Sequence, residues 1–334
     1  PSNGSGVYEV QVQADDGNGG VVTQTISVTV TNVNEGPVFT SSATVDAAEN
    51  QTSVMTVTTS DVDAGDTSTF SITGAGADDA LFSITPGGDL TFNAAQDFET
   101  FADANDNGIY EVQVQADDSN GGVVTQTISV TVTNVNEAPN LVSLSASAVN
   151  ENTDTSAGHT IGILNTTDVD SGDTASYSIN GGPDAAVFSI GGTGSDELIL
   201  SDGTLDFETQ DSYTVVVRVT DSGGLSHDET LVITVNDLNE APINTVPLAQ
   251  TVAEDATLNI TGISVADADN NLASTQLSVN DGTLSVVTPG SASIIGDGTS
   301  SVTISGTQTE INAALASINY QGAQDFNGSD TLTV

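Results

Sequence analysis

Four kinds of acidic motif recur along the chain, and all their side chains are oxygen donors. A glutamate stands at Glu49, Glu151 and Glu254. An Asp-x-Asp pair stands at Asp61 and Asp63, at Asp168 and Asp170, and at Asp267 and Asp269. Asp-Phe-Glu places Asp97 with Glu99 and Asp206 with Glu208. A late aspartate follows a β-type run at Asp16, Asp118 and Asp221. Three short stretches that each end in proline add Asn34 and Glu35, then Asn136 and Glu137, then Asp237, Asn239 and Glu240. Two carboxylates 4 Å apart repel by about 4 kcal/mol at an effective dielectric of 20, so several packed together call for a cation. Carboxylate and amide oxygens, in a chain without cysteine, suit Ca²⁺ rather than Zn²⁺. The competing explanation is that acidity only keeps the chain soluble. Clustering of the acids argues against that as the whole account.

The elements that must position these groups read as strands. Tyr8, Val10 and Val12 alternate with Glu9, Gln11 and Gln13, the period of a half-buried strand. A turn rich in Asp, Asn and Gly follows, then a second alternating run, which together predict a β-hairpin. Residues 108–139 repeat residues 6–37 almost unchanged. Pro37, Pro139 and Pro242 stand roughly 100 residues apart, as expected of a tandem array. Within residues 38–139, short β-type runs fall at 53–59, 68–73, 81–85, 89–92, 109–116 and 123–133, the pattern of an immunoglobulin-like sandwich. Residues 140–242 repeat it. One helical stretch is predicted over 310–318, capped by Thr309, with Ile311, Leu315 and Ile318 on one face. The expected division is therefore 1–37, the closing hairpin of one repeat; 38–139 and 140–242, complete repeats; and 243–334, a divergent repeat lacking its last strands. The chain reads as a segment of a longer one.

The 334 residues carry 46 Asp plus Glu against one basic residue, Arg218, for a formal net charge of −45. Nucleic acid and anionic membranes are poor partners for such a surface. No apolar run approaches the ~20 residues that span a bilayer. Catalysis is not expected. His159 and His227 fall in predicted loops with no nucleophile motif beside them, no Gly-rich phosphate loop opens a helix, and the paired carboxylates recur in every repeat. Threonine-rich faces such as Thr125, Thr127, Thr131 and Thr133 read as ordinary exposed strand.

Together the early Glu, Asp-x-Asp, Asp-Phe-Glu, late Asp and Asn-Glu-x-Pro stretch resemble the calcium framework of cadherin repeats, in the form found in large bacterial surface adhesins of the RTX, type I-secreted class. The resemblance implies an all-β fold of tandem immunoglobulin-like, cadherin-like Greek-key β-sandwiches in an extended rod, with calcium at each junction. It implies that the junction at Pro139 uses Glu49, Asp97, Glu99, Asn136 and Glu137 with Asp168, Asp170 and Asp221. At Pro242 it implies Glu151, Asp206, Glu208, Asp237, Asn239, Glu240, Asp267 and Asp269. At Pro37 it implies Asn34, Glu35, Asp61, Asp63 and Asp118. This sequence departs from the family pattern in three ways: its linkers are one residue shorter than the vertebrate form, Asn32 and Asn134 replace an Asp that Asp237 keeps, and Asn327 replaces a Glu. The stretch Asp103-Ala104-Asn105-Asp106-Asn107-Gly108 looks like part of a further calcium loop, with a solvated turn as its alternative.

The function this implies is a calcium-rigidified extender of an extracellular adhesin on a bacterial surface, serving adhesion or biofilm formation. The alternative is a module that itself binds glycans, surface proteins or other copies of this chain.

Overall fold

Alternation in the sequence becomes alternation in burial. Tyr110, Val112, Val114 and Ala116 are wholly buried, whereas Glu111 between them is exposed. The period of two places one row of side chains in the core and the next in water. The computed structural model describes residues 6–334, and of Leu141 the backbone only. Its strands fall into two units, residues 1–137 with Val169–Gly172 and Ala138–Asp168 with Asp173–Val334.

The first unit opens with a hairpin, β1 (Val7–Asp15) and β2 (Val21–Thr29), exposed along almost its whole length. There follow β3 (Val38–Phe39), β4 (Thr44–Ala48), β5 (Ser53–Thr56), β6 (Thr59–Ser60), β7 (Thr69–Ile72), β8 (Phe82–Ile84), β9 (Asp89–Phe92), β10 (Ile109–Asp117) and β11 (Val123–Thr133). Sheet β4-β11-β10-β7 packs against sheet β5-β9-β8, with β3 and β6 paired at the side. Phe82, Phe92 and Tyr110 stack through the core, with centroids 4.5 and 5.3 Å apart. Strand β4 runs parallel to β11, so the chain leaves Ala48 beside the last strand. That places Glu49 at the root of the following linker, where its backbone N–H donates to Thr133 O at 3.1 Å.

The second unit repeats the plan. Its strands are β12 (Leu141–Leu144), β13 (Ala148–Asn150), β14 (His159–Thr167), β15 (Ser176–Gly181), β16 (Phe188–Gly191), β17 (Glu197–Leu200), β18 (Ser212–Thr220) and β19 (Ser226–Asn236). They form sheets β13-β19-β18-β15 and β12-β14-β17-β16 around a core of Val215, Val217, Leu198, Leu200 and Ile233. Strand β13 is again parallel to β19, and Glu151 N–H donates to Asn236 O at 3.1 Å. Strands β20 (Ile243–Thr245), β21 (Thr257–Ile260), β22 (Ser264–Ala266), β23 (Ser274–Ser278), β24 (Gly282–Val286), β25 (Ser293–Ile295) and β26 (Ser301–Ser305) lead to helix α1 (Gln308–Leu315) and β27 (Ile318–Gly322). They enclose a third core, which includes Leu277, Leu284, Ile304, Ile311 and Leu315.

Two sequence expectations need correction. The helix starts two residues early and ends three early. Its cap is Thr307, not Thr309, because Thr307 Oγ1 accepts from Glu310 N–H while the Glu310 carboxylate accepts from Thr307 N–H at 2.8 Å, a closed capping box. Ile318 then opens β27 instead of continuing the helix. His159 and His227 lie in strands β14 and β19, not in loops. Among the described residues, no helix is long and apolar enough to cross a membrane.

Candidate metal centres

The early glutamates are buried and tied to backbone. Glu49 and Glu151 are each 3% exposed. Val135 N–H donates to Glu49 Oε1 at 2.8 Å and Phe98 N–H to Oε2 at 2.9 Å. In the next repeat Leu238 N–H donates to Glu151 Oε1, and Phe207 N–H to Oε2 at 3.0 Å. A buried carboxylate needs such donors. Each glutamate thus joins its linker to the Asp-Phe-Glu loop. Glu254 does not reproduce this: it is exposed, in a stretch without strand pairing.

The Asp-Phe-Glu loops hold themselves. Asp97 Oδ1 accepts from Glu99 N–H at 2.9 Å and Thr100 N–H at 3.1 Å, and Asp206 accepts from the Thr209 hydroxyl at 2.8 Å. The middle Phe packs inward in both loops. Carboxylate oxygens of Glu49, Asp97 and Glu99 consequently lie within 4.8 Å of one another, and so do those of Glu151, Asp206 and Glu208. Burial, then the charge of Glu49, pushes the Glu99 carboxyl above its ordinary value.

At the first linker, Asp63 and Asp118 are held from the other side. Asn32 Nδ2 donates to Asp63 Oδ1 at 2.6 Å and Glu35 N–H to Asp63 Oδ2 at 2.9 Å. Asn34 Nδ2 donates to Asp118 Oδ2 at 2.9 Å. These donors keep both carboxyls below the usual range: the Glu35 N–H leads for Asp63 and the Asn34 amide for Asp118. The linker sits so close to the β10–β11 turn that a Cβ on Gly122 would lie 2.6 Å from Gly36 Cα. Asp61, Asp63 and Asp66 form a three-carboxylate group beside it.

The third linker carries the densest set. Glu240 N–H donates to Asp269 Oδ2 at 2.8 Å. Glu208, Asp237 and Asp269 form one group and share Glu208 with the Glu151–Asp206–Glu208 group. Burial, then Asp269, raises the Asp237 carboxyl. Asp267 is 6% exposed, and its Oδ1 has no partner; Asp269 Oδ1 and Glu240 Oε2 are likewise buried without one. A cavity of about 340 Å³ is lined by Glu151, Asn152, Asp206, Glu208 and Glu240 among others. Around the middle linker, Glu137 N–H donates to Asp170 Oδ2 at 2.7 Å in the first unit. In the second unit Asp168, Asp173 and Asp221 form a group.

Of the residues expected at the junctions, Glu35, Asp118, Glu137, Asp170, Glu240 and Asp267 fall outside every three-carboxylate group among the described residues. Asn34, Asn136 and Asn239 supply amides. Sequence reasoning passed over Asp66 and Asp173. Both follow an Asp-x-Asp in Asp-x-Asp-x-Gly-Asp, where Gly65 and Gly172 at φ +104° and +98° turn the chain back. It also missed Asn50 and Asn152, whose side-chain amides donate to Glu137 Oε1 at 2.7 Å and Glu240 Oε1 at 2.6 Å. In the Asp103 stretch the structure shows the backbone-turn arrangement. Asp103 is buried, and its carboxylate accepts from Asn107 and Gly108 N–H. Asp78 is buried too and accepts from Ala104 and Glu111 N–H, both at 2.7 Å, so some acids here serve the backbone alone.

Two family models match parts of the chain: the Cadherin domain over residues 146–236 and the Bacterial Ig domain over residues 34–131. No curated protein matches it. Among solved structures, the Protocadherin GammaB4 extracellular domain superposes with a TM-score of 0.52 at 24% identity, over 90% of this chain and 49% of that one. The fold is that of tandem cadherin-like sandwiches. The chain spans about half the length of that structure. Protocadherin Gamma B2 extracellular cadherin domains 1–5 give a TM-score of 0.48 at 20% identity, over 91% of this chain and 60% of that one. Human Protocadherin-24 EC1-2 Form II gives 0.44 at 23%, over 62% and 100%.

Proposed function

We propose that this chain is a calcium-stiffened spacer of an extracellular adhesin, built of repeats bounded at Pro37, Pro139 and Pro242. The observation that carries the reading is the third linker. Two carboxylate groups share Glu208 there, and three buried oxygens, on Asp267, Asp269 and Glu240, have no donor. An unpartnered buried carboxylate oxygen is costly. Donors made wholly of carboxylate and amide oxygen fit a hard, large cation. Glu151, Asp206, Glu208, Asp237, Glu240, Asp267 and Asp269 would hold calcium at this linker. Asp61, Asp63 and Asp66 would do so at the first. Glu49, Asp97 and Glu99 would do so in the first unit, and Asp168, Asp173 and Asp221, as a group of their own, in the second.

Bound calcium supplies positive charge and a crosslink. The protein contributes the fixed oxygens: Glu49 and Glu151 tie linker backbone to the repeat before it, and Asp63 and Asp269 tie it to the repeat after it. Extracellular modules bind calcium at about 10⁻⁴–10⁻³ M, so such junctions respond to external calcium. The Cadherin and Bacterial Ig matches support an extracellular adhesion setting, and the motif resemblance narrows it to a bacterial surface adhesin of the RTX class acting in adhesion or biofilm. Direct glycan binding has less to stand on. Tyr8 is the one aromatic among the large exposed apolar side chains of the described residues.

Small-angle scattering and thermal unfolding, with 5 mM calcium and then with chelator, test the proposal. Calcium is expected to narrow the spread of maximum dimension and raise the unfolding midpoint. Identical curves in both conditions would refute a calcium spacer.

A further inference from the structure

We propose that Asn50 and Asn152 are positioning residues for the calcium junctions, each fixing one oxygen of a linker glutamate so that the other stays available to the ion. The inference rests on the calcium reading above and adds residues to it. Each Asn directly follows the buried early glutamate. Each has a left-handed backbone, φ +61° and +60°, a conformation in which Asn is enriched among side-chain-bearing residues. That turn aims the side chain at a linker 87 and 88 residues further on, at Glu137 and Glu240. An ionised glutamate only accepts hydrogen bonds, so the amide nitrogen must face it.

The same geometry arises independently in both units. In the second it leaves a definite result: Glu240 Oε1 is held at 2.6 Å, while Oε2 is buried and unpartnered. Asn152 and Glu240 line the same cavity as Glu151, Asp206 and Glu208. The third copy of the position separates backbone from side chain. Asp255 keeps the left-handed turn at φ +61° but has no donor, and it accepts from Asp325 N–H instead. The turn therefore does not require the amide, and in the first two copies the amide serves the linker glutamate.

The test uses the full chain and follows the amide shifts of Glu240 and Asp269 by NMR during titration with calcium chloride. Asn152→Gly keeps the left-handed turn and removes the amide. Asn152→Asp keeps the shape and removes the donor. Both are expected to weaken calcium at this linker by about tenfold or more, as loss of an outer-shell partner does. Asn50→Gly should leave these two shifts titrating as in the wild type. The unfolding midpoint of Asn152→Gly in chelator should match the wild type, which shows that the fold is kept. If Asn152→Gly binds calcium as tightly as the wild type, the positioning role is wrong and the junction reading stands. If the wild type itself shows no calcium-dependent shift, the junction reading falls and takes this role with it.

Discussion

Asp63 and Asp118 are held below the ordinary carboxylate range by amide donors, while Glu99 and Asp237 are held above it, first by burial and then by a neighbouring like charge. The two kinds act in opposite directions on stability. A lowered carboxyl adds stability above its unfolded pKa, and that contribution is lost as pH falls through the folded value. A raised carboxyl favours the folded state while protonated, and that contribution is lost as pH rises through the folded value. In calcium-free buffer the unfolding midpoint should therefore peak near the ordinary carboxylate pKa, about pH 4, and decline above it. Millimolar calcium should abolish the decline, because the ion takes the place of the proton. Midpoints measured from pH 3 to 7 check this. The double variant Glu99→Gln with Asp237→Asn should flatten the calcium-free decline, and an unchanged decline would show that other groups cause it.

At the scale of elements, the strands were legible and their settings were not. Val10 and Val112, or Ile26 and Ile128, carry the same local sequence, yet Ile26 is 48% exposed and Ile128 wholly buried. Alternation names the inward face of a strand and says nothing about what covers it. Ile128→Ala should cost about 2–5 kcal/mol, the range for a buried aliphatic truncation, and Ile26→Ala well under 1. Chemical denaturation followed by circular dichroism of the strands reads both. The helix was misplaced by two residues because Thr307 and Thr309 both stand within one turn before Ile311, and only the return contact from Glu310 selects Thr307. The acidic motifs were legible because their spacing is local. Asp66 and Asp173 were not, since they join their groups only after a glycine turn. Asn50 and Asn152 were not, since their partners lie 87 and 88 residues away, in the linker at the far end of the same repeat. The Asp103 stretch stayed open between two readings because alternating oxygen donors serve a backbone turn as readily as an ion.

Across the whole molecule, a net charge of −45 sets the terms on which any fold survives. Self-repulsion of that size is screened by any salt, since the Debye length falls to about 10 Å at 0.1 M. Screening and site binding can be separated by valence and by size. Sodium chloride should raise the calcium-free midpoint gradually across hundreds of millimolar. Calcium should do so at a few millimolar and at constant ionic strength. Magnesium at the same concentration should do much less, because it needs near-octahedral geometry and gives up water reluctantly. Equal effects of magnesium and calcium would reduce the acidic groups to a general charge reservoir.

The hairpins β1–β2 and β10–β11 differ only at Val7 against Ile109 and Gly17 against Ser119 over their two strands and turn. The sheet of β5, β8 and β9 therefore has two interchangeable partners in the same polypeptide. Chain connectivity separates them poorly. One precedes β3 by a short linker, the other follows β9 after a loop of similar order, and closure entropy grows only slowly with length. Either hairpin is then a chemically equivalent occupant for that place during refolding. Misassembly between neighbouring repeats is the characteristic failure of such arrays. The refolding yield of this chain is therefore expected to depend on which hairpin docks first as well as on the stability of the finished repeats.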